Sequence, residues 1–280
     1  MLKLKNVKDC FYPKTLEELI QILKEKGDKA KVVGGGLHLA VFPNPQVESF
    51  IFLNKLSLNY IKEEGEFISI GATTTINEAA NSEEVKKLFE GKLSKSLSLI
   101  ASELLRNQIT FGGSVAQREP YSDIATILLA LNSDVVYFDG SRHVEKLNDF
   151  YKGDFRSKLK QGIITEIRIK KFDSSYKFGM ERHVRNATDI ALLNMAMLAR
   201  VEDNVISEIF VSYGSRPMPA ERFTAMEDFL RGQDLNEAIG KVYNFAKEHA
   251  DVKGDIRRGE EYRRELTGVF AKRLLESFGR

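Results

Sequence analysis

The sequence predicts an α+β protein of two domains, and three features of the chain predict it. A helix, a strand, a glycine cluster and a second strand follow one another between residues 15 and 53. The composition changes at residues 173–175, beyond which an apolar hairpin and three helical segments are predicted. The 280 residues are sufficient for two domains that each bury a core.

The first domain is predicted to begin with a capped helix. Thr15 is the expected N-cap, Glu18 the residue that reaches back to it, and Gly27 the helix end. Thr75 and Glu78 repeat the capping pattern before a second, short helix. Further predicted elements are a buried helix at 97–105, a helix at 123–131 and strands at 30–33, 50–53, 67–70, 135–138 and 163–169.

The second domain is predicted to contain an antiparallel sheet and three helices. The apolar segments 191–201 and 205–213 flank Asp203 and Asn204, a residue pair typical of a tight hairpin turn. Pro217 and Pro219 end this unit. Helices are predicted near 220–230, 235–250 and 260–278.

The composition argues against several classes of protein. The 42 Lys and Arg residues nearly balance the 40 Asp and Glu residues, so neither nucleic acid nor a membrane is the expected partner. The N-terminus has no apolar core of a signal peptide. The longest apolar stretch, 190–199, is interrupted by Asn194 and is too short to span a bilayer. We therefore expect a cytoplasmic protein.

Cysteine and histidine are too few to predict a metal site. Cys10 is the only cysteine, whereas an iron–sulfur cluster needs about four thiolates. The four histidines lie far apart and show no metal-ligand spacing. We predict no metal ligands and no catalytic residue, so a redox role would depend on an organic cofactor or on partner subunits.

Two glycine clusters are the candidate binding loops. Gly34, Gly35 and Gly36 follow a predicted strand, and a second cluster occupies residues 112–114. Glycine lets the backbone approach a ligand and direct its N–H groups toward phosphate oxygens. Two such loops could clamp the two phosphates of a dinucleotide, although ordinary tight turns are the alternative. Leu39 replaces the third glycine of the nicotinamide-binding fingerprint, which argues against a Rossmann site.

The second cluster has polar neighbours that suit a dinucleotide. The hydroxyls of Thr110 and Ser114 flank the glycines and can donate to phosphate oxygens. The carboxylate of Asp123 follows and could accept from the hydroxyls of a ribose or ribityl chain.

Residues 105–116 resemble the signature I-R-N-x-A-T-[IL]-G-G-N-[IL]-A of the FAD-binding subunits of molybdenum hydroxylases, which include xanthine dehydrogenase and aerobic carbon monoxide dehydrogenase. The following S-P-x-x-D element of that family is similar to residues 119–123. The family's A-G-G-x-[SD]-L loop is similar to residues 34–39, its L-G-G-x-x-x-x-P turn to 213–219, and its D-x-R-G-S-x-x-Y-R element to 255–263. The resemblance runs through essentially the whole chain in order.

The resemblance implies an α+β fold with a FAD-binding domain of the vanillyl-alcohol oxidase (PCMH) type at residues 1–173. This domain would consist of two α/β subdomains, about 1–55 and 56–173, with FAD between them and its pyrophosphate on both glycine loops. Residues 174–280 would form a small antiparallel sheet plus three-helix domain of the molybdenum hydroxylase type.

The resemblance also implies a set of cofactor-binding residues. They are Val33, Gly34, Gly35, Gly36, Leu37, His38, Thr110, Gly112, Gly113, Ser114, Asp123 and Lys177. His38 replaces the usual Ser or Asp and Ser114 the usual Asn, and because Leu37 separates His38 from the glycines we expect FAD to be bound noncovalently. Lys177 or Arg185 could lie beside the isoalloxazine ring, although an exposed strand charge is the more frequent role of such residues.

The implied function is electron transfer within a complex. A large molybdopterin subunit would oxidise the substrate, a small iron–sulfur subunit would carry the electrons to FAD, and NAD, oxygen or another carrier would accept them. Two alternatives stay open. One is a scaffold subunit that has lost FAD, which the changes at His38 and Ser114 suggest. The other is a stand-alone flavin oxidase, against which the lack of an evident catalytic base argues.

Overall fold

The computed structural model describes residues 6–279. A first sheet of three parallel strands, in the order β1-β3-β2, contains β1 (Asp9–Phe11), β2 (Ala30–Val33) and β3 (Ser49–Phe52). Helix α1 (Leu16–Lys26) connects β1 to β2 and buries its leucine face against them. Thr15 Oγ1 accepts from the Glu18 N–H as predicted, but the Glu18 carboxylate accepts from the Lys14 N–H, one residue before the N-cap.

A second sheet of five antiparallel strands has the order β4-β5-β8-β6-β7. Its strands are β4 (Ile61–Glu64), β5 (Phe67–Gly71), β6 (Asp134–Phe138), β7 (Arg142–Lys146) and β8 (Ile163–Lys170). In the first part of the chain, α2 (Leu37–Val41) lies between β2 and β3. The helices that accompany the second sheet are α3 (Ile76–Asn81), α4 (Glu83–Lys86), α5 (Lys92–Ser98), α6 (Glu103–Arg106), α7 (Phe111–Gln117), α8 (Asp123–Ala130), α9 (Leu147–Lys152) and α10 (Phe155–Gln161). Thr75 and Glu78 form the predicted capping box of α3 in full.

The predicted buried helix at 97–105 is wrong. Helix α5 ends at Ser98 and α6 begins at Glu103, and Ala101 between them has a φ of +49°, which an α-helix does not allow. Leu99 and Leu104 are 52% and 80% exposed. Leu99 and Leu104 therefore lie at the surface, and the spacing of leucines in this segment does not indicate a buried helix face.

A third sheet contains four antiparallel strands in the order β12-β11-β10-β9. They are β9 (Tyr176–His183), β10 (Leu193–Glu202), β11 (Val205–Ser215) and β12 (Met218–Arg222). One face is covered by α11 (Thr224–Leu230), α12 (Leu235–His249) and α13 (Glu260–Phe278), and the other by α8. The predicted α+β class, with a small antiparallel sheet and three helices at the C-terminal end, is confirmed.

Helix α8 joins the second and third sheets into one core. All eight of its residues are buried, and its Ile124 and Leu128 pack in the same cluster as Phe178 and Leu198 of the third sheet. Buried hydrogen bonds reinforce the contact: the Thr126 hydroxyl donates to the Asn194 side chain at 2.8 Å. Within residues 6–279, every helix is too short or too polar to cross a lipid bilayer.

The hairpin between β10 and β11 gives a prediction on stability. Asp203 and Asn204 have φ values of +49° and +64°, and Asn204 Nδ2 donates to Asp234 Oδ2 at 2.5 Å. Asn204→Gly keeps the turn and loses the hydrogen bond, which should lower the free energy of unfolding by about 1 kcal/mol. Asn204→Ala must in addition adopt an unfavourable φ, which should lower it by about 1 kcal/mol more. Denaturant unfolding should rank the wild type above Gly and Gly above Ala, and equal stability of the two variants would contradict the turn geometry.

Candidate functional site

The two glycine clusters lie against each other. A Cβ on Gly35 would lie 1.5 Å from the Gln108 carbonyl oxygen, and one on Gly34 would lie 2.9 Å from Thr110 Oγ1. A side chain at residue 35 would therefore force the two segments apart. The end of β2 and the segment that leads into α7 come this close only because the first cluster is glycine.

A cleft of about 910 Å³ opens beside this contact. Its volume is near the upper end of the range of about 300–1,000 Å³ for ligand pockets. Ten of the twelve predicted binding residues line the cleft, namely Val33, Gly34, Gly35, Gly36, Leu37, His38, Thr110, Gly113, Ser114 and Asp123. The structure thus brings nearly the whole predicted set to one surface.

Gly112 and Lys177 do not line the cleft. Gly112 is buried, its N–H donates to the Ala72 carbonyl at 2.9 Å, and a Cβ on it would lie 2.6 Å from Ala72 Cβ. Its lack of a side chain serves the packing of α7 on the second sheet. Lys177 lies on β9 opposite Ala199, and Arg182, five residues further along the strand and about 16 Å away, is the β9 cation at the cleft.

The second cluster forms the first turn of a helix instead of a loop. Thr110 is the N-cap of α7, and its Oγ1 accepts from the Gly113 N–H at 3.2 Å. His38 and Glu119 both line the cleft, and His38 Nδ1 lies 3.2 Å from Glu119 Oε1, which links the first cluster to the segment after α7.

Asp123 is bound on both carboxylate oxygens by protein groups. It is 5% exposed, its Oδ2 lies 3.0 Å from Arg182 Nη2, and its Oδ1 accepts from Asn194 Nδ2 at 2.6 Å. Burial raises the pKa of the Asp123 carboxyl above its ordinary value, against the lowering effect of Arg182 and Asn194. Asp123 therefore ties α8 to β9 and β10 at the edge of the cleft.

Three arginines that sequence reasoning did not select also line the cleft: Arg182, Arg216 and Arg257. Arg182 is held by the carbonyls of Leu99 and Asp189 at 2.7 and 3.1 Å. Arg257 Nη1 is buried and has no hydrogen-bond partner among residues 6–279. The sequence signal for Arg257 was its place in the 255–263 element, whereas nothing local marked Arg182 or Arg216.

The residues present fit a dinucleotide. Exposed glycine backbone at residues 34, 35 and 113 leaves room for phosphate groups, and the hydroxyls of Thr110 and Ser114 adjoin it. The arginine side chains supply positive charge to the same cleft. Among residues 6–279, no group of three or more His, Cys, Asp or Glu side chains is arranged to hold a metal ion.

Gly35 gives a test of the contact between the clusters. Gly35→Ala should lower stability by about 1–3 kcal/mol, because the new Cβ overlaps the Gln108 carbonyl. Gly240 is the matched control, since it lies within α12 with no atom near its added Cβ, and Gly240→Ala should stabilise by about 0.5–1 kcal/mol. Thermal unfolding measures both changes, and a Gly35→Ala protein as stable as the wild type would refute the close approach.

Asp123 gives a second test. Asp123→Asn leaves the guanidinium of Arg182 without its carboxylate in a nearly buried position, which should cost about 3–5 kcal/mol. Asp189→Asn is the control, because the partner of Asp189, Arg185, is exposed and the pair should contribute less than about 1 kcal/mol. Equal losses in urea unfolding would show that the Asp123–Arg182 pair is not special.

Comparisons with known proteins show to which family the chain belongs. Residues 5–170 match the family described as FAD binding domain in molybdopterin dehydrogenase, and residues 179–278 match that described as CO dehydrogenase flavoprotein C-terminal domain. The chain is 29% identical over 270 residues to the glyceraldehyde dehydrogenase medium chain of Sulfolobus acidocaldarius, covering 94% of this chain and 95% of the relative. It is 26% identical over 272 residues to the carbon monoxide dehydrogenase medium chain of Hydrogenophaga pseudoflava, covering 95% and 94%.

The fold is also similar to a solved structure. Carbon monoxide dehydrogenase from Hydrogenophaga pseudoflava, in a form that lacks the Mo-pyranopterin moiety of the molybdenum cofactor, superposes with a TM-score of 0.89. Sequence identity is 26%, and the match covers 98% of this chain and 97% of that chain. With the two family matches, these similarities confirm FAD as the cofactor. The chain belongs to the FAD-binding medium subunits of the molybdenum hydroxylases and is an oxidoreductase subunit.

Proposed function

We propose that the chain accepts electrons from a partner iron–sulfur subunit and passes them from FAD to NAD, oxygen or another acceptor. The observation that carries this proposal is the contact between two distant glycine clusters at the wall of a dinucleotide-sized cleft. When bound, FAD supplies a carrier that accepts two electrons and releases them singly or in pairs, while the protein supplies position and charge.

The proposed partners are a large molybdopterin subunit and a small iron–sulfur subunit in a cytoplasmic complex. Two similar proteins are named medium chains, which supports a place between a larger and a smaller chain. The single cysteine of this sequence also supports a separate iron–sulfur subunit, because a cluster needs about four thiolates. The near-zero formal net charge of +2 gives no reason to add nucleic acid or a membrane to these partners.

We propose that residues 1–173 form the FAD-binding domain, with subdomains at about 1–55 and 56–173, and that 174–280 form the C-terminal flavoprotein domain. The family matches support this division, since one ends at residue 170 and the next begins at 179. The first and second sheets fall within 1–173, and the third sheet with its three helices falls within 174–280.

Within the cleft, the backbone of Gly34 to Gly36 and the hydroxyls of Thr110 and Ser114 are proposed to bind the pyrophosphate. Gly113 is proposed to leave room for it, since its N–H donates to Thr110 Oγ1. Asp123 is proposed to contact the sugar alcohol chain with the lone pairs that Arg182 and Asn194 leave free. Arg182 replaces Lys177 as the proposed β9 cation, because only Arg182 lines the cleft.

Ser114 allows a matched test of this assignment. The purified wild-type protein should be yellow, or should quench flavin fluorescence when FAD is added. Ser114→Asp places a carboxylate beside the proposed pyrophosphate, and like-charge repulsion should weaken FAD binding by at least about 100-fold. Ser114→Asn introduces the asparagine of the family signature that residues 105–116 resemble. It should keep the affinity for FAD within about threefold, because its amide can also donate to phosphate.

Each alternative function has its own outcome in this experiment. A wild-type protein that neither carries FAD nor quenches its fluorescence would be a scaffold and would refute the electron-transfer proposal. Reduction of bound FAD by a small alcohol or amine, with no other subunit present, would instead favour a stand-alone oxidase. Equal affinity of the Asp and Asn variants would place the pyrophosphate elsewhere in the cleft.

A further inference from the structure

Arg263, in the first turn of α13, is a fully buried cation. Its side chain is 0% exposed. Nη1 donates to the carbonyl of Leu192 and to Ser215 Oγ, both at 2.9 Å, and also to the carbonyl of Arg216. Nη2 donates to Asp255 Oδ1 at 2.6 Å. One guanidinium therefore joins the ends of β10 and β11 to the segment that precedes α13.

Two of these contacts fix the backbone of cleft residues. The Arg216 carbonyl is bound directly. Asp255 Oδ1, which pairs with Arg263, also accepts from the N–H groups of Arg257 and Arg258 at 2.9 and 3.3 Å. Arg263 does not line the cleft, but Arg216 and Arg257 do. The buried guanidinium thus holds in place the two segments that carry these arginines.

Arg216 and Arg257, unlike Arg182, have no carboxylate partner in the described part of the chain. Neither guanidinium lies within ion-pair distance of an Asp or Glu side chain. Arg216 lies over the Tyr121 ring, with 5.6 Å between its guanidinium carbon and the ring centroid. Arg257 Nη1 is buried and makes no hydrogen bond to any residue that the structure describes. Burying part of a cation that has no carboxylate partner costs free energy, and an anionic group of a bound ligand would offset that cost.

We propose that Arg263 is a positioning residue for the cofactor. Together with Asp255 it holds Arg216 and Arg257 at the wall of the cleft, so that their charges meet an anionic part of bound FAD. This inference rests on the proposed function. The anionic part is either the pyrophosphate, charged in both redox states, or the isoalloxazine ring, which gains negative charge when reduced. Affinity for oxidised FAD reports the first, and the flavin reduction potential reports the second.

The test uses the full-length protein with Arg263→Met and Arg263→Lys. Arg263→Met should weaken the binding of oxidised FAD at least about tenfold, or make the flavin reduction potential more negative. Arg263→Lys should restore only part of the effect, because an ammonium group cannot reproduce the forked contacts of the guanidinium.

Arg222, at the end of β12, is the matched control, since it forms a buried pair with Glu227 of α11 and does not line the cleft. Arg222→Met should lower thermal stability as Arg263→Met does, without changing FAD affinity or potential. If both variants alter FAD binding only in proportion to their loss of stability, Arg263 has no positioning role.

Variants of the cleft arginines keep the proposal testable even if Arg263→Met does not fold. Arg216→Gln and Arg257→Gln change half-buried side chains and should reproduce the loss of affinity or the shift in potential. Wild-type FAD binding with no change in either measurement for both variants would overturn the positioning role alone. Failure of the wild type to bind FAD would overturn the proposed function itself.

Discussion

The structure of the site depends on the approach of the Gly35 backbone to the Gln108 carbonyl. This contact joins the first sheet to the segment before α7, which packs on the second sheet. It leaves the exposed backbone of both segments along one cleft. A surface formed by main-chain packing tolerates changes in the neighbouring side chains. The Gly35–Gln108 contact therefore does not depend on which side chains stand at residues 38 and 114.

The elements that the sequence predicted are those with local causes. The capping box of Thr75 and Glu78, the Asp203–Asn204 turn and the long α13 each follow from residues close together in the chain. Strands β4 and β7 were missed because they lie at the edges of the second sheet, where one side of each strand is unpaired. Their polar sequences lack the apolar character that marks a buried strand.

The candidate site divides in the same way. The glycine clusters were recognisable because glycine is required by backbone geometry, although the cause differs between neighbours: Gly113 faces the cleft and Gly112 packs on Ala72. The arginines were not predictable, because their approach to the cleft depends on tertiary contacts. The register of β9 places Arg182, and not Lys177, at its cleft end, and only the pairing of β9 with β10 sets that register.

Helix α8 has a consequence for how this protein could be divided or recombined. Its residues belong to the N-terminal half of the sequence, yet it covers one face of the third sheet and shares a core with Phe178 and Leu198. A chain cut after residue 173 would expose α8 on one fragment and a bare apolar sheet on the other. The two fragments, 1–173 and 174–280, are therefore not expected to be soluble when they are produced separately. An exchange of either fragment between relatives would have to preserve the surface of α8.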